Sequence, residues 1–252
     1  MRNFLFLTIF IISIITNAQS SGYVEYRYII NLGIDYETTG LLQFTNDKSK
    51  FTQLKSGDSN TVKNLDELEI TVISESDDRP INFISRNSKM LLSYVPLFKK
   101  IYLTQEKIPK INWSIKNEFK ALNNIQCQKA EGYFRGRTYI VWFTKDIPVS
   151  FGPWKLQGLP GLILEARDEK MEIFFKAKRI KLGSSFMIDF PNIENSIRLR
   201  EFIEMKAKIY KEKSEMIKSK MPRNASFTLP LPPRSSQKEI VFEWEEEKEK
   251  QD

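Results

Sequence analysis

Short runs in which apolar and polar residues alternate follow one another through most of the chain, and this period of two constrains the fold more than any other feature. In the first run, Val24, Tyr26 and Tyr28 alternate with Glu25 and Arg27. Further β-rich runs lie at residues 41–44, 48–54, 81–84, 90–95, 100–104, 125–144 and 162–180. Because side chains along a strand point alternately to opposite faces, these runs predict an antiparallel sheet of many short strands.

The clearest hairpin spans residues 125–144. Two β-rich runs flank Arg135-Gly136-Arg137, where Gly136 can adopt the positive φ that a tight turn requires. The second run, residues 139–143, is apolar on both faces, which predicts an internal strand covered on both sides. As exposed turn residues, Arg135 and Arg137 could bind an anionic ligand with their planar guanidinium groups, or could have no specific role.

The period changes to that of a helix in the C-terminal part of the chain. Phe202, Ile209 and Met216 recur with a heptad step, and the residue after each is also apolar. This pattern predicts one long amphipathic helix over residues 194–220, with Asn192 as its N-cap. We expect its apolar stripe to dock on the sheet; the alternative is a mobile lid or a partner-binding face.

Together these patterns predict an α+β fold that is mainly β. It consists of a curved antiparallel sheet, open or half barrel, with one long amphipathic C-terminal helix. Residues 19–221 form one β-rich domain that includes the helix. Residues 222–252 contain a Pro-rich linker, a candidate last strand at residues 239–244 and an acidic tail.

Residues 1–18 have the pattern of a secretory signal peptide. Arg2 supplies a positive charge, residues 4–15 form an apolar run, and residues 16–18 provide a cleavage site before Gln19. The alternative is a membrane anchor, but the run is shorter than the ~20 apolar residues that span a bilayer. No transmembrane segment is predicted in the mature chain. The sequence therefore predicts export to the periplasm or cell envelope, or to the extracellular space.

The chain has no histidine and only one cysteine. The absence of histidine excludes Ser-His-Asp and Cys-His nucleophilic sites and nearly all zinc sites, and we predict no metal or cofactor site. A single cysteine excludes an internal disulfide. Cys127 lies in a β-rich run, where a small buried apolar side chain is its expected role.

Positive charge dominates the body of the chain. The formal net charge is +7, although residues 243–252 hold six acidic residues and only two lysines. A basic exported protein favours anionic partners such as membrane headgroups, lipopolysaccharide or an acidic protein, and the export signal argues against nucleic acid. The alternative is a solvated, lysine-rich surface without a specific partner.

Turn-forming residues are concentrated in residues 151–163. A Gly-Pro pair precedes Trp154 and marks one chain reversal. In the second reversal, Pro160 fits position i+1 and Gly161 fits position i+2 of a type II turn, which predicts a positive φ at Gly161. Two tight reversals would direct Trp154 and the following strand toward the sheet.

This segment resembles the GLPGLI family of exported bacterial proteins, which is found mainly in Bacteroidota. The hexapeptide that names the family is intact at residues 158–163, and the resemblance runs from about residue 113 to residue 180. It includes the blocks at residues 127–130, 134–137, 142–144, 147–149 and 152–154. The resemblance implies secretion and a β-rich fold, with an open curved sheet similar to that of bacterial lipoprotein carriers. No established activity comes with it.

The resulting prediction is an exported, non-enzymatic binding or carrier module. Its ligand would be lipid-like or anionic, and an apolar ligand would lie between sheet and helix. The candidate binding residues are Trp154, Leu159, Pro160, Arg135 and Arg137, and the candidate structural residues of the motif are Gly152, Pro153, Gly158 and Gly161.

Two other functions stay open at this point. An accessory module would dock on an outer-membrane transport protein through a flat, exposed aromatic patch. A hydrolase would use Glu165, Asp168 and Glu169. However, Asp168 and Glu169 fall in a turn predicted at residues 167–170, where such residues are structurally favoured. An apolar concavity facing the helix would favour the carrier.

Overall fold

A computed structural model describes residues 21–33, 35–54, 79–184, 187–222 and 229–249. The predicted signal peptide, residues 1–18, lies outside the described residues, so export remains an expectation from the sequence.

In the part of the chain that the structure describes, twelve strands form one sheet. The alternating pattern predicts a sheet of many strands, but its runs do not include residues 113–122 or 197–198. The strands are β1 (Gly22–Asn31), β2 (Asp35–Phe44), β3 (Lys48–Gln53), β4 (Ile81–Ser85), β5 (Met90–Leu97), β6 (Lys100–Lys107), β7 (Trp113–Leu122), β8 (Ile125–Phe134), β9 (Arg137–Thr144), β10 (Leu162–Asp168), β11 (Ile173–Leu182) and β12 (Ile197–Arg198). Their order is β12-β6-β5-β4-β3-β2-β1-β11-β10-β9-β8-β7. The sheet is open, because the strands at its two ends do not pair with each other. Within the described residues β12 pairs in parallel with β6, and the other neighbours are antiparallel.

One face of the sheet, here called the inner face, carries the main core. Tyr28 of β1 stacks on Phe175 of β11 with ring centroids 4.2 Å apart, and Phe51 of β3 meets Phe175 edge-on. The sheet curves strongly around this face. Glu106 of β6 forms an ion pair with Arg135 at the turn between β8 and β9, although eight strands separate β6 from β8 in the sheet.

Strand β9 is internal, as predicted, but its two faces differ. It pairs with β8 on one side and β10 on the other. Tyr139 and Val141 on the inner face are fully buried, whereas Ile140 and Trp142 on the outer face are only partly buried. The strand is therefore less completely covered on its outer face than expected; there Lys120 Nζ lies 4.4 Å from the Trp142 ring centroid.

The loop between β9 and β10 returns to the inner face of the sheet. Phe151, Trp154, Leu156 and Leu159 are all buried in the main core. The adjacent Ile163 accepts a hydrogen bond at its carbonyl from the Tyr26 hydroxyl, 2.6 Å away. The loop therefore fills part of the concavity that the curved sheet creates.

The long helix α1 (Leu199–Ser219) begins five residues later than predicted. Asn192 does act as a cap, but it caps a short 3-10 turn at Ile193–Asn195. The backbone then forms β12, and this pairing with β6 delays the start of the α-helix.

The helix docks by its first turns and runs along β6 toward the β5–β6 turn. Phe202 is buried and packs on Tyr102, with ring centroids 5.5 Å apart. Two turns later, Tyr210 is only partly buried and contacts Phe98 at 4.9 Å. Met216 is 48% exposed. Within the described ranges, no helix is long and apolar enough to cross a membrane.

The last strand predicted at residues 239–244 is wrong. Residues 229–242, called the strap below, contain a 3-10 turn at Arg234–Ser236, and a second helix, α2 (Glu243–Glu249), follows them. The strap crosses the tip of the β8–β9 hairpin, where the Ile240 amide donates to the carbonyl of Arg135 over 2.8 Å. It makes no continuous ladder with a neighbouring strand, so it is not itself a strand.

Candidate functional site

The two candidate arginines of the β8–β9 hairpin are buried, not exposed. Arg135 and Gly136 occupy the turn with φ of 48° and 86°, as in a tight two-residue hairpin. The side chains of Arg135 and Arg137 are only 1% and 2% exposed. The sequence-based expectation failed because the strap, about 100 residues further along the chain, covers this turn.

Arg135 is surrounded by carboxylates of the same chain. It contacts Glu106 and Glu239, and its Nε lies 3.0 Å from Glu243 Oε1. Lys155 Nζ joins the same group, 3.0 Å from Glu106 Oε1 and 2.9 Å from Glu239 Oε1. Burial alone would raise the pKa of Glu239, but Lys155 and Arg135 lower it to about 2.

Arg137 holds the strap against the end of β10. Its guanidinium donates to Asp168 Oδ2 over 2.7 Å and to Glu172 Oε2 over 2.5 Å. It also donates to three carbonyls of the strap, those of Ser235, Gln237 and Lys238. One buried side chain therefore satisfies two carboxylates and three main-chain acceptors.

Lys238 places its ammonium group between aromatic rings. Its Nζ donates to the Tyr28 hydroxyl over 3.1 Å and lies 5.5 Å from the Trp154 ring centroid. Burial lowers the pKa of Lys238 to about 8, and the neighbouring Glu239 opposes this shift. The nearby Tyr139 hydroxyl is buried and has no hydrogen-bond partner among the described residues.

Sequence reasoning did not single out four residues of this network as functional: Glu106, Lys155, Lys238 and Glu239. They come from three distant parts of the chain, and although Lys155 lies within the turn-rich segment, no spacing in the sequence links it to the other three. Only the curvature of the sheet and the path of the strap bring them together.

A surface crevice of about 170 Å³ opens beside Arg135. Its lining includes Lys110, Asn112, Tyr133, Glu243 and Glu246. Charges of both signs surround this small volume, so it suits a small polar molecule better than a lipid chain.

The candidate binding residues of the turn-rich segment are mainly core residues. Trp154 and Leu159 are 3% and 1% exposed, while Pro160 is exposed. Trp154 adopts φ 58°, a conformation that is rare for bulky residues. It packs between Phe134 and Tyr139 at centroid distances of 5.7 and 6.3 Å.

The structural residues of the motif act through close packing. The positive φ predicted at Gly161 is wrong; it is Gly158 that has φ 98°. A Cβ at Gly161 would lie 2.0 Å from the carbonyl oxygen of Thr144, so this position excludes any side chain. Gly152 and Pro153 are buried; a Cβ at Gly152 would lie 2.8 Å from the Ile163 side chain.

The carboxylates considered for hydrolysis do not converge. Glu165 pairs with Lys120 on the outer face, 2.6 Å away, whereas Asp168 pairs with Arg137 on the inner side. Asp168 is the last residue of β10, and the turn falls after it rather than at residues 167–170. Glu169 is exposed.

Cys127 is fully buried, as predicted, and burial raises the pKa of its thiol to about 11. The described residues contain no group of three or more Cys, Asp or Glu side chains placed to hold a metal ion.

Comparisons with known proteins show a similar fold and indicate no activity. None of the curated proteins matches the chain. Two crystal forms of PNGF-II, in space groups P21 and C2, are structurally similar, with TM-scores of 0.51 and 0.50 and 16% sequence identity. They cover 76% of this chain, which spans only about a third of theirs (34% and 33%). At this identity the likeness concerns the fold alone. A family described as "Protein of unknown function (Porph_ging)" matches residues 85–165, the region that contains the β8–β9 hairpin and the turn-rich segment.

Proposed function

We propose that the protein is an exported, non-enzymatic binding module that engages its partner at its outer surface. The observation that carries this proposal is the filling of the inner face. Phe151, Trp154 and Leu156 occupy the concavity in which a carrier of this architecture would hold an apolar ligand. The first function predicted from the sequence, a carrier, therefore has less support than the accessory module.

The charged network also supports a binding module over a hydrolase. Arg135, Arg137 and Lys155 each contact carboxylates of the same chain, so their charges are already compensated. Glu165 and Asp168 face opposite sides of the sheet and could not act on one bond. The network instead holds the strap and the hairpin in a single arrangement.

Native mass spectrometry of the protein purified from its own host tests this proposal. We expect the mass of a chain that begins at Gln19, with no retained lipid-like molecule. The same sample after denaturation serves as the control, because a bound lipid would be released and would appear as a separate species. A retained lipid-like mass would contradict surface binding and restore the carrier.

A further inference from the structure

The turn between β5 and β6 exposes an aromatic residue in an unfavourable backbone conformation. Leu97 pairs with Lys100, so Phe98 and Lys99 form a two-residue turn. Phe98 has φ 56°, where glycine is normally favoured at the first central position of such a hairpin. Its side chain is 43% exposed. Glycine would suit this backbone better, so the phenyl ring is retained at a cost to folding.

Helix α1 brings positive charge to the same place. Lys213 Nζ lies 4.6 Å from the Phe98 ring centroid, and Tyr210 packs on the same ring. Lys99 in the turn and Lys100 at the start of β6 are exposed. The ring therefore has one lysine over it and two exposed lysines directly after it in the chain, and it stays 43% exposed.

The last part of α1 extends beyond this turn. Because Phe202 packs on Tyr102 and Tyr210 packs on Phe98, the helix passes the end of the β5–β6 hairpin at Tyr210. The nine residues that follow continue for about 14 Å at 1.5 Å per residue. Met216 and Met221 in and after this stretch are 48% and 36% exposed.

The charge of this region is strongly positive. Residues 206–221 contain six lysines and two glutamates, Glu212 and Glu215. Exposed apolar side chains among lysines are typical of helices that lie at the interface of an anionic membrane.

We propose that Phe98, Lys99, Lys100 and the C-terminal half of α1 form a tip that binds the surface of an anionic phospholipid membrane. Phe98 and Met216 enter the headgroup region, and the lysines contact phosphate groups. This inference rests on the proposed function, because it names the surface and the partner of a surface-binding module.

Co-sedimentation of the full chain with lipid vesicles tests the tip. We expect binding to vesicles of equal parts phosphatidylglycerol and phosphatidylcholine, weak binding to pure phosphatidylcholine, and a loss of binding as salt is raised. Phe98→Gly should reduce the affinity about tenfold while leaving the melting temperature nearly unchanged, because relief of the turn conformation offsets the lost ring contact with Tyr210. Lys99→Glu combined with Lys100→Glu should reduce it at least about fivefold for each lysine.

Matched controls lie elsewhere on the surface. Phe119→Ser removes a 52% exposed aromatic side chain from the edge strand β7 and should leave vesicle binding unchanged. Lys107→Glu combined with Lys170→Glu changes the net charge by the same amount as the tip variant. It should weaken binding much less, because neither residue lies at the tip. Phe98→Trp should show a blue-shifted emission on addition of anionic vesicles.

Wild-type protein that does not sediment with anionic vesicles would overturn this inference, and so would tip variants that sediment like the wild type. Binding of a protein at the tip without any vesicle binding would also overturn it. With no lipid-like mass retained in native mass spectrometry, such a failure concerns the tip alone. A lipid-like mass retained by the wild type and equally by the tip variants would contradict the proposed function itself, whatever the vesicles show.

Discussion

The charged side chains of the network at the β8–β9 hairpin are buried or partly buried, whereas most of those in the C-terminal half of α1 are exposed to solvent. At the hairpin, Arg135 and Lys155 are enclosed, with side chains 1% and 4% exposed, and both contact Glu106. On α1, the Lys208–Glu212 pair is 3.9 Å apart with side chains 77% and 60% exposed. Breaking a buried pair leaves a charge without water or partner, whereas an exposed pair contributes at most about 1 kcal/mol.

This difference separates the part of the molecule that fixes its structure from the part that is free to bind. The buried network joins strands β6, β9 and β10 and the β8–β9 turn with the strap, so a change there should lower the stability of the whole fold. The C-terminal half of α1 makes few contacts with the core, so a change there should affect binding more than stability.

The largest expected effect is at Arg137. Arg137→Met keeps a long side chain but leaves Asp168 buried without its cation and the strap carbonyls without their donor. We expect the free energy of unfolding to fall by about 3–5 kcal/mol, measured by urea denaturation. Arg27→Met is the control, because the Arg27–Glu37 pair is exposed to solvent and its loss should have little effect on stability. Equal losses in the two variants would contradict the comparison.

The second prediction tests the division within α1. Phe202→Ala removes a buried ring from the cluster that also holds Leu97 and Leu199 and should cost about 3 kcal/mol. Tyr210→Ala removes a partly exposed ring and its contact with the Phe98 ring, and it should cost about 1 kcal/mol. Hydrogen exchange should show the same order, with slower exchange near Phe202 than at residues 211–219. Uniform protection along α1 would contradict a helix held mainly by the packing of residues 199–210.

The sheet was predictable because its signals are local. Alternation at residues such as Val24, Tyr26 and Tyr28 identifies a strand wherever it ends up in the sheet, and Gly136 marks a turn by its own conformational freedom. The heptad stripe likewise identified α1, although the pairing of Ile197 with Thr104 on β6 set its start.

The candidate site was not predictable for the opposite reason. The burial of Arg135 depends on the strap, and the need for glycine at position 161 depends on the carbonyl of Thr144. The residues at 239–244 have a strand-like pattern, but their backbone partners lie on a hairpin tip rather than along a strand. Long-range contacts of this kind produce no characteristic residue spacing by which the sequence could reveal them.

The third prediction concerns acid. Because the pKa of Glu239 is about 2 in the folded protein and about 4.5 when unfolded, the unfolded state binds more protons between these values. Stability from this group is therefore present above pH 4.5 and is lost as pH falls toward 2, by about 1–3 kcal/mol. Urea denaturation at a series of pH values should show a shallower acid loss in Glu239→Gln than in the wild type. Glu37→Gln removes an exposed carboxylate whose pKa the hydrogen bond from Arg27 also lowers, so it should change the curve only slightly. An equally slight change in Glu239→Gln would contradict the assignment.

The smallest expected difference isolates the strap itself. Gly136 and Gly183 both have positive φ, 86° and 76°, but a Cβ at Gly136 would lie 2.6 Å from Ile240 Cβ, whereas nothing lies within 4 Å at Gly183. Alanine at either position should cost about 1–2 kcal/mol through the backbone alone. Gly136→Ala must also displace Ile240, which should add about 1–2 kcal/mol.

Hydrogen exchange separates these two contributions. The Ile240 amide, which donates to the Arg135 carbonyl, should exchange faster in Gly136→Ala and at the wild-type rate in Gly183→Ala. Equal stability losses in the two variants, with unchanged exchange of the Ile240 amide, would mean that the strap does not pack closely against the hairpin. In that case the burial of Arg135 could not be attributed to the strap, and the contrast between a fixed network and a free helix tip would lose its physical basis.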